Sequence, residues 1–397
     1  MLCSYYTEKL LGLKEVIVKN VTQTEEFVKI EIEVKRRIQD CPCCGAATGA
    51  VHDYRRQVIK DISAFGKHTQ LILSKRRYRC TSCGKRFQEA NSFLPKYHRM
   101  TSRLIAYVLD CLRDTCSFTS VAKRMGLSVS TVIRIFNLVS YAPLELPHVL
   151  SIDEFKGNTN MEKYQCILTD PVNHRIVDIL PSREKHRLIR YFKPFSRNHV
   201  THFVSDMWST YADISHTFFH NAKFIVDKYH FIRQVIWAFE AVRKELQHSF
   251  SPSRRKYFKR SRSLLNKRYA YLTDDEKQQV QIMLYTSETL KEAYLLKEQF
   301  LEVLDSESVE VAKEKLCHWI LCAGSSGIPR FEACAKTMSR WFKGILNALE
   351  FGYTNGFTEG CNNKIKVLKR NAYGYRNFNR FRNRILHVFS GQTNAAG

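Results

Sequence analysis

Two groups of residues have the types and spacing to hold cations. Cys41-Pro-Cys-Cys44-Gly45 and Cys80-Thr-Ser-Cys83-Gly84 are C-x-x-C pairs, each followed directly by glycine and separated by 35 residues (45–79). A two-residue spacer lets one tight turn aim two sulfurs at the same ion, and glycine permits the reversed backbone that follows. Two such turns close one tetrahedral zinc site, so Cys41, Cys44, Cys80 and Cys83 are the expected ligands. Cys43 is spare, His52 or His68 is an alternative donor, and a set of buried free cysteines is the competing account. The second group is acidic. Glu359 opens a helix-like run after an Asn-Gly turn. At about 100° per residue, Asn363, Lys366 and Arg370 share its face, while Cys361, Ile365 and Leu368 cluster opposite. An acid, an amide and cations on one stripe suit metal ions held against a phosphodiester. An amphipathic surface helix with an incidental acid accounts for the stripe equally well.

Two further acids become informative once the elements around them are read. After Pro143 and Pro147 the pattern turns to strands at 148–155, 164–169 and 175–180, separated by turns at 157–160 and 170–173. These make an antiparallel meander. A helix at 185–192, a strand at 202–205, a helix, a strand at 223–226 and another helix follow. Three antiparallel strands and then alternating helix and strand is the element order of a ribonuclease-H-like mixed sheet. In that order Asp153 lies on the first strand and Asp206 ends the fourth, its neighbour, so both carboxylates reach one cluster.

Upstream, 102–112 repeats apolar residues at helical spacing, and 118–136 reads as two short helices about a turn at Gly126. Val121, Ala122 and Met125 share one face of the first. Ser128 is a natural N-cap for the second, whose Val132, Ile133 and Phe136 are expected to face inward. Ser128, Ser130, Thr131 and Arg134 then point outward, as on a recognition helix entering a major groove. A plain helical hairpin is the alternative. Between Phe231 and about Gly344 the period is helical throughout, too long for a loop and expected to be an inserted domain. Residues 251–270 hold eight Lys or Arg and no acid, Arg254, Arg255 and Lys256 among them. The run 364–384 holds eight more, including Lys366, Lys369 and Arg370. Both interleave aromatics and suit phosphate contact, with a solvated helix as the plain alternative.

The expected organisation is multi-domain α/β: a zinc ribbon over 1–100, a helix-turn-helix over 101–142, a core over 148–232 and 345–397, and a helical insertion over 233–344. Sixty-three Lys plus Arg against 38 Asp plus Glu give a net charge of +25, which points to a polyanionic partner, nucleic acid first. No apolar stretch approaches the roughly 18 residues needed to span a bilayer, and 1–10 lacks a signal-peptide pattern. A soluble, cytoplasmic, nucleoid-associated protein with reduced thiols and no membrane partner is therefore expected.

The set Ser151-Ile-Asp-Glu-Phe155, Val204-Ser-Asp-Met-Trp-Ser-Thr-Tyr211, Val226-Asp-Lys-Tyr-His-Phe231, Thr354-Asn-Gly-Phe-Thr-Glu-Gly-Cys-Asn-Asn-Lys-Ile-Lys366 and Arg370-Asn-Ala-Tyr-Gly-Tyr375 resembles the bacterial insertion-sequence DDE transposases of the ISL-three family. The resemblance runs over nearly the whole chain, with zinc module and helix-turn-helix in the same order. It implies a catalytic triad of Asp153, Asp206 and Glu359, holding Mg²⁺ (or Mn²⁺) for two-metal phosphoryl transfer. It also implies binding to terminal inverted repeats, strand transfer into target DNA, and a homodimer joining two ends. Asp227 and His230 fit a family-like motif; capping by Asp227 with a packed His230 is the plainer reading. A non-catalytic, transposase-derived DNA-binding regulator is the alternative function.

Overall fold

The computed structural model describes residues 8–157 and 159–390, and its contacts divide into two units. The first comprises the chain to Tyr141 with 367–375 and the segment from Asn379. Its main sheet contains β1 (Val16–Gln23), β2 (Phe27–Val34), β5 (Val51–Ala64) and β6 (Lys67–Arg79), in the order β1-β2-β6-β5, with β7 (Arg86–Gln88) beside β6. A separate two-strand pair joins β3 (Gln39–Asp40) and β4 (Ala47–Thr48). Strict alternation along β2 turns Val28, Ile30, Ile32 and Val34 inward, into one cluster with Ile59, Leu71 and Leu73. Leu71 and Leu73 lie in the middle of β6, which runs directly into Cys80.

The helix-turn-helix segment forms α1 (Ser102–Cys111), α2 (Phe118–Met125) and α3 (Val129–Phe136). Ser117 and Ser128 cap α2 and α3 by accepting from Ser120 N and Thr131 N, worth about 1 kcal/mol each. Gly126 ends α2 at φ 61°, and a Cβ there would fall 2.8 Å from the His68 ring, so the position needs glycine twice over. One expectation is corrected: Ile135, not Ile133, joins Val132 and Phe136 in the core. The stripe 132–135–136 packs inward, which leaves Ile133 on the flank, half-buried.

In the second unit β8 (Val149–Lys156), β9 (Tyr164–Asp170) and β10 (Arg175–Leu180) form the expected meander. α4 (Lys185–Phe192), β11 (His202–Ser205), α5 (Ser209–Phe218) and β12 (Lys223–Val226) follow. The sheet order is β10-β9-β8-β11-β12, antiparallel through β8 and parallel from β8 to β12. Residues 149–152 of β8 are all buried, as expected of a central strand covered on both faces.

The interval where an insertion was expected is helical: α6 (Lys228–Gln247), α7 (Pro252–Arg260), α8 (Arg262–Asn266), α9 (Asp274–Leu284), α10 (Glu288–Val303), α11 (Val309–Gly324) and α12 (Pro329–Arg340). α13 (Phe342–Phe351) returns to the sheet, where Asn347 Nδ2 donates to Phe224 O at 2.7 Å. Gly344 lies so close to β12 that a Cβ would stand 2.7 Å from Val226 Cγ2. α14 (Gly356–Asn371) carries Glu359.

The last helix, α15 (Phe378–Phe389), shows where sequence grouping misleads. Its polar residues serve the helix-turn-helix: Arg384 donates to Asp114 O (2.6 Å) and Cys116 O (2.9 Å), and Asn383 to Val139 O (3.0 Å). His387 Nε2 lies 2.7 Å from Leu109 O and Nδ1 2.6 Å from Tyr141 Oη. The carbonyl can only accept, so Nε2 carries the proton and Nδ1 accepts from Tyr141. Burial lowers the His387 pKa in keeping with this neutral form. The segment 345–397 was expected to belong to the core; α15 packs with 101–141 instead. Among the described residues no helix is long and apolar enough to cross a membrane.

Candidate active site and metal centre

The four cysteines meet. The sulfurs of Cys41, Cys44, Cys80 and Cys83 all lie within 4.8 Å of one another, with Cys41 to Cys83 and Cys44 to Cys80 at 3.6 Å. Tetrahedral thiolates about 2.3 Å from zinc stand roughly 3.8 Å apart, so the spacing fits one ion. The two turns are built alike. Gly45 N donates to Cys41 O and Gly84 N to Cys80 O, with the glycines at φ 72° and 71°. The Cys83 backbone N–H points at Cys80 Sγ and holds that thiol down to about 6; Cys41 is lowered in the same way by Cys44. Cys43, His52 and His68 stand outside the cluster, and His68 packs against Gly126 and Ser63.

The acids are placed by the central sheet. β11 runs parallel to β8 with Val204 opposite Ser151. Continuing that register two residues brings Asp206 level with Asp153 and on the same face. Asp153 is then fixed from two sides: Oδ1 accepts from Glu154 N (2.7 Å) and Oδ2 from Asn362 Nδ2 (2.8 Å). Burial pushes Asp153 up to about 7, and the charges of Asp206, Glu154 and Asp227 push the same way. Asp206, which accepts from Trp208 N at 3.2 Å, is raised to about 6 by burial and then by Glu154. Clustered carboxylates that disfavour their own charge are a natural seat for a cation.

Glu359 is exposed on the first turn of α14, and its charge reaches His230. Its helix is bolted to the first acid's strand. Ser151 Oγ bonds Asn355 Oδ1 and Thr358 Oγ1, Thr358 also meets Thr169 Oγ1 (2.7 Å), and Asn362 holds Asp153. Asp153, Asp206 and Glu359 do not form, among the described residues, a grouping as tight as the four thiolates. The buried face includes Cys361, Ile365 and Leu368 as expected, but it also takes in Thr358 and Asn362. Asn362, not the exposed Asn363, is therefore the amide that touches an acid. Sequence reading passed over Asn355, Thr358 and Asn362, although their spacing of three and four residues is a helical stripe.

Asp227 does not cap its own helix: as N-cap of α6 it makes no side-chain capping bond, and Oδ1 accepts from Asn355 N at 3.0 Å, anchoring the approach to α14. His230 bonds Arg233 at 3.1 Å. A second missed pair is Glu154 with Arg183 (2.7 and 2.8 Å), whose guanidinium lies over Tyr164 and Trp208. Of the expected DNA-contact residues, Ser128, Ser130, Arg134, Arg254, Arg255, Lys256, Asn363, Lys366 and Arg370 are exposed; Thr131 and Lys369 are half-buried. The Ser128 hydroxyl is engaged in its cap and with Ser130 and Thr131.

Burial of Asp206 has a measurable consequence. Its folded pKa stands above the ordinary 3.8, so ionisation costs the fold nothing at low pH and the full amount above about 6. That cost is at most about 3 kcal/mol. Asp206→Asn keeps the acceptor for Trp208 N and is expected to raise the melting temperature by a few degrees at pH 8 without added divalent metal, the gain vanishing towards pH 4. Equal or lower stability of the variant at pH 8 would contradict the burial.

Comparison with known proteins gives the arrangement a context. The profile of the ISL3 DDE transposases matches residues 150–385, more than half of the chain. The helix-turn-helix domain of transposase family ISL3 matches 89–139, and the zinc finger of the IS204/IS1001/IS1096/IS1165 transposases matches 38–83. The transposase for insertion sequence element IS1001 of Bordetella parapertussis is 26% identical over 381 residues, 92% of each chain. The transposase for insertion sequence element IS1557 of Mycobacterium tuberculosis is 27% identical over 303 residues, 67% of this chain and 66% of that one. A Lactococcus lactis protein named an ATP-dependent protease is 34% identical over 120 residues, 30% of this chain, a span too short to carry its name across. With a zinc ribbon, a helix-turn-helix and a DDE domain matched in order along one chain, the protein belongs to the ISL3 family of DNA transposases.

Proposed function

We propose that this transposase binds the inverted-repeat ends of an insertion sequence, then cuts and joins DNA strands at Asp153, Asp206 and Glu359. The observation that carries the reading is the bond from Asn362 to Asp153. It ties the helix bearing the third acid to the strand bearing the first, beside the strand bearing the second. The sheet order β10-β9-β8-β11-β12, with a meander followed by parallel strands, supports a ribonuclease-H-like core. The three carboxylates would hold two divalent cations, Mg²⁺ or Mn²⁺, which activate the attacking oxygen and stabilise the departing one. Asn362 orients Asp153 for that task, and Asp227 fixes the backbone from which α14 starts.

The relatives' names supply the substrate class: insertion-sequence DNA. Ser130, Thr131 and Arg134 on α3 are the residues for reading base edges, with Ser128 setting the helix start. Arg254, Arg255, Lys256, Asn363, Lys366, Lys369 and Arg370 follow the phosphates. Two ends must be brought together, which calls for a homodimer on DNA, acting in the cytoplasm at the nucleoid.

A labelled duplex carrying the element's own end tests the reading. Strand nicking at the end is expected with Mg²⁺ and none without divalent metal, and inverted repeats should flank the gene. A chain that binds the duplex but never cuts it with Mg²⁺ or Mn²⁺ would be a regulator instead. Binding is also expected to weaken steeply with salt, since each phosphate contact releases a counterion; a salt-insensitive complex contradicts the assigned phosphate contacts.

A further inference from the structure

The zinc-bearing unit carries a groove of about 1280 Å³. It is lined by Arg55 of β5, Lys75 of β6, Lys85 and Arg86 of the second knuckle, and Lys96 and Arg99. Arg56, the seventh cationic residue, is already paired with Glu31 at 2.6 Å. Two acids border the same space, Asp40 and Glu89, and Glu89 is buried on Arg76. The segment carrying Lys96 and Arg99 is braced on β5 through bonds from Gln57 Nε2 to His98 O and from Lys60 N to Arg99 O, both 2.9 Å. At its crest Tyr97 sits at φ 65° and 92% exposed, with Lys96 over its ring. Among the described residues the ring buries almost none of its surface, on left-handed backbone that a bulky residue rarely adopts.

The groove is rigidly joined to the reading helix. Buried Asp61 of β5 accepts from Thr101 Oγ1 (2.6 Å) and Arg103 Nε (2.8 Å) at the start of α1, and Lys60 Nζ donates to Gly126 O (2.6 Å) at the turn before α3. Whatever the groove binds is therefore held at a fixed offset from whatever α3 reads.

We propose that this groove is a second DNA-binding surface, taking the phosphate backbone of the duplex next to the segment read by α3, with Tyr97 against its sugars. A cationic channel of this size with one exposed aromatic fits a polyanion with an apolar edge. The proposal rests on the transposition reading and fixes where one part of the end is gripped.

The test uses the full-length protein and measures the affinity for an end duplex and an unrelated duplex across a potassium chloride series. The triple variant Arg86→Ala, Lys96→Ala, Arg99→Ala, with zinc content and melting temperature checked against the parent, is expected to lower the salt slope by about 2.7 and to weaken both duplexes alike. Single substitutions should each take about one from the slope, which keeps the test open if the triple variant folds poorly. Tyr97→Ala should weaken binding several-fold with the slope unchanged. Arg134→Ala serves as contrast, lowering the preference for the end over the unrelated duplex. A folded triple variant with the parent's slope overturns the groove; a parent that binds neither duplex overturns the transposition reading itself.

Discussion

Glu359→Gln is expected to lower Mg²⁺-dependent cleavage of an end duplex by at least about a thousandfold, a barrier increase of about 4 kcal/mol, while the duplex stays bound. Glu359 is the most discriminating of the three acids because it is exposed. Its loss has no folding explanation, whereas Asp153 accepts the bond from Asn362 that ties β8 to α14. Glutamine keeps the size and removes the charge that a divalent cation requires. A fall in the cleavage rate with unchanged duplex affinity assigns the residue to the reaction and not to binding. The exposed neighbour Asn363 gives the contrast: on the same helix and stripe, Asn363→Ala should change cleavage by less than about tenfold, the size of a single lost polar contact. Asn362→Ala should fall between, seen as a roughly 10- to 100-fold higher Mg²⁺ requirement, as for a residue that orients a ligand. Cleavage by Glu359→Gln within about tenfold of the parent would remove it from the triad.

The contrast between Asn362 and Asn363 shows where sequence reading reached its limit. Local signals were legible because their cause is local: Ser128 caps its helix within three residues, and Gly45, Gly84 and Gly126 occur where the backbone must reverse. The strands of the central sheet were legible because apolar runs bounded by turns have few other uses. The stripe of α14 was legible as well, but its centre was taken from Glu359. The structure turns the helix so that the flank carrying Thr358 and Asn362 meets Ser151, Thr169 and Asp153. Those partners lie some two hundred positions away in the chain, and helical periodicity gives a face without naming what covers it. α15 makes the same point. Its amphipathic pattern predicts a buried side, yet only the contacts of Arg384 and His387 reveal that the partner is the helix-turn-helix. Asp227 was read as a local cap because that is what an acid before a helix usually does. Its carboxylate bonds instead to Asn355 N, a demand created by the fold.

Removing the zinc-binding capacity should have the largest effect on stability, and it should be confined. Between β2 and β5 the knuckle has only the short β3–β4 pair, and in 39–50 the buried residues are Cys41 and Thr48. A segment with so little apolar burial cannot offset its own conformational entropy. Four thiolates around zinc supply binding energy on the order of 10 kcal/mol, which in such modules is folding energy. The neighbouring sheet has its own core of Val16, Val18, Ile30, Ile32, Ile59, Leu71 and Leu73, and owes nothing to the cysteines. Cys80→Ser, or treatment with a zinc chelator, is therefore expected to abolish amide-exchange protection in 39–48 and 80–88 while leaving 27–34 and 67–75 protected. The wall of the basic groove formed by Lys85 and Arg86 would go with the knuckle, so duplex affinity should fall even though α3 and its caps are intact. Unchanged exchange at 41–45 and 80–84 after zinc has been removed would mean that the sulfurs are packed for their own sake. Loss of protection through β2 and β6 as well would mean that sheet and knuckle fold as one body.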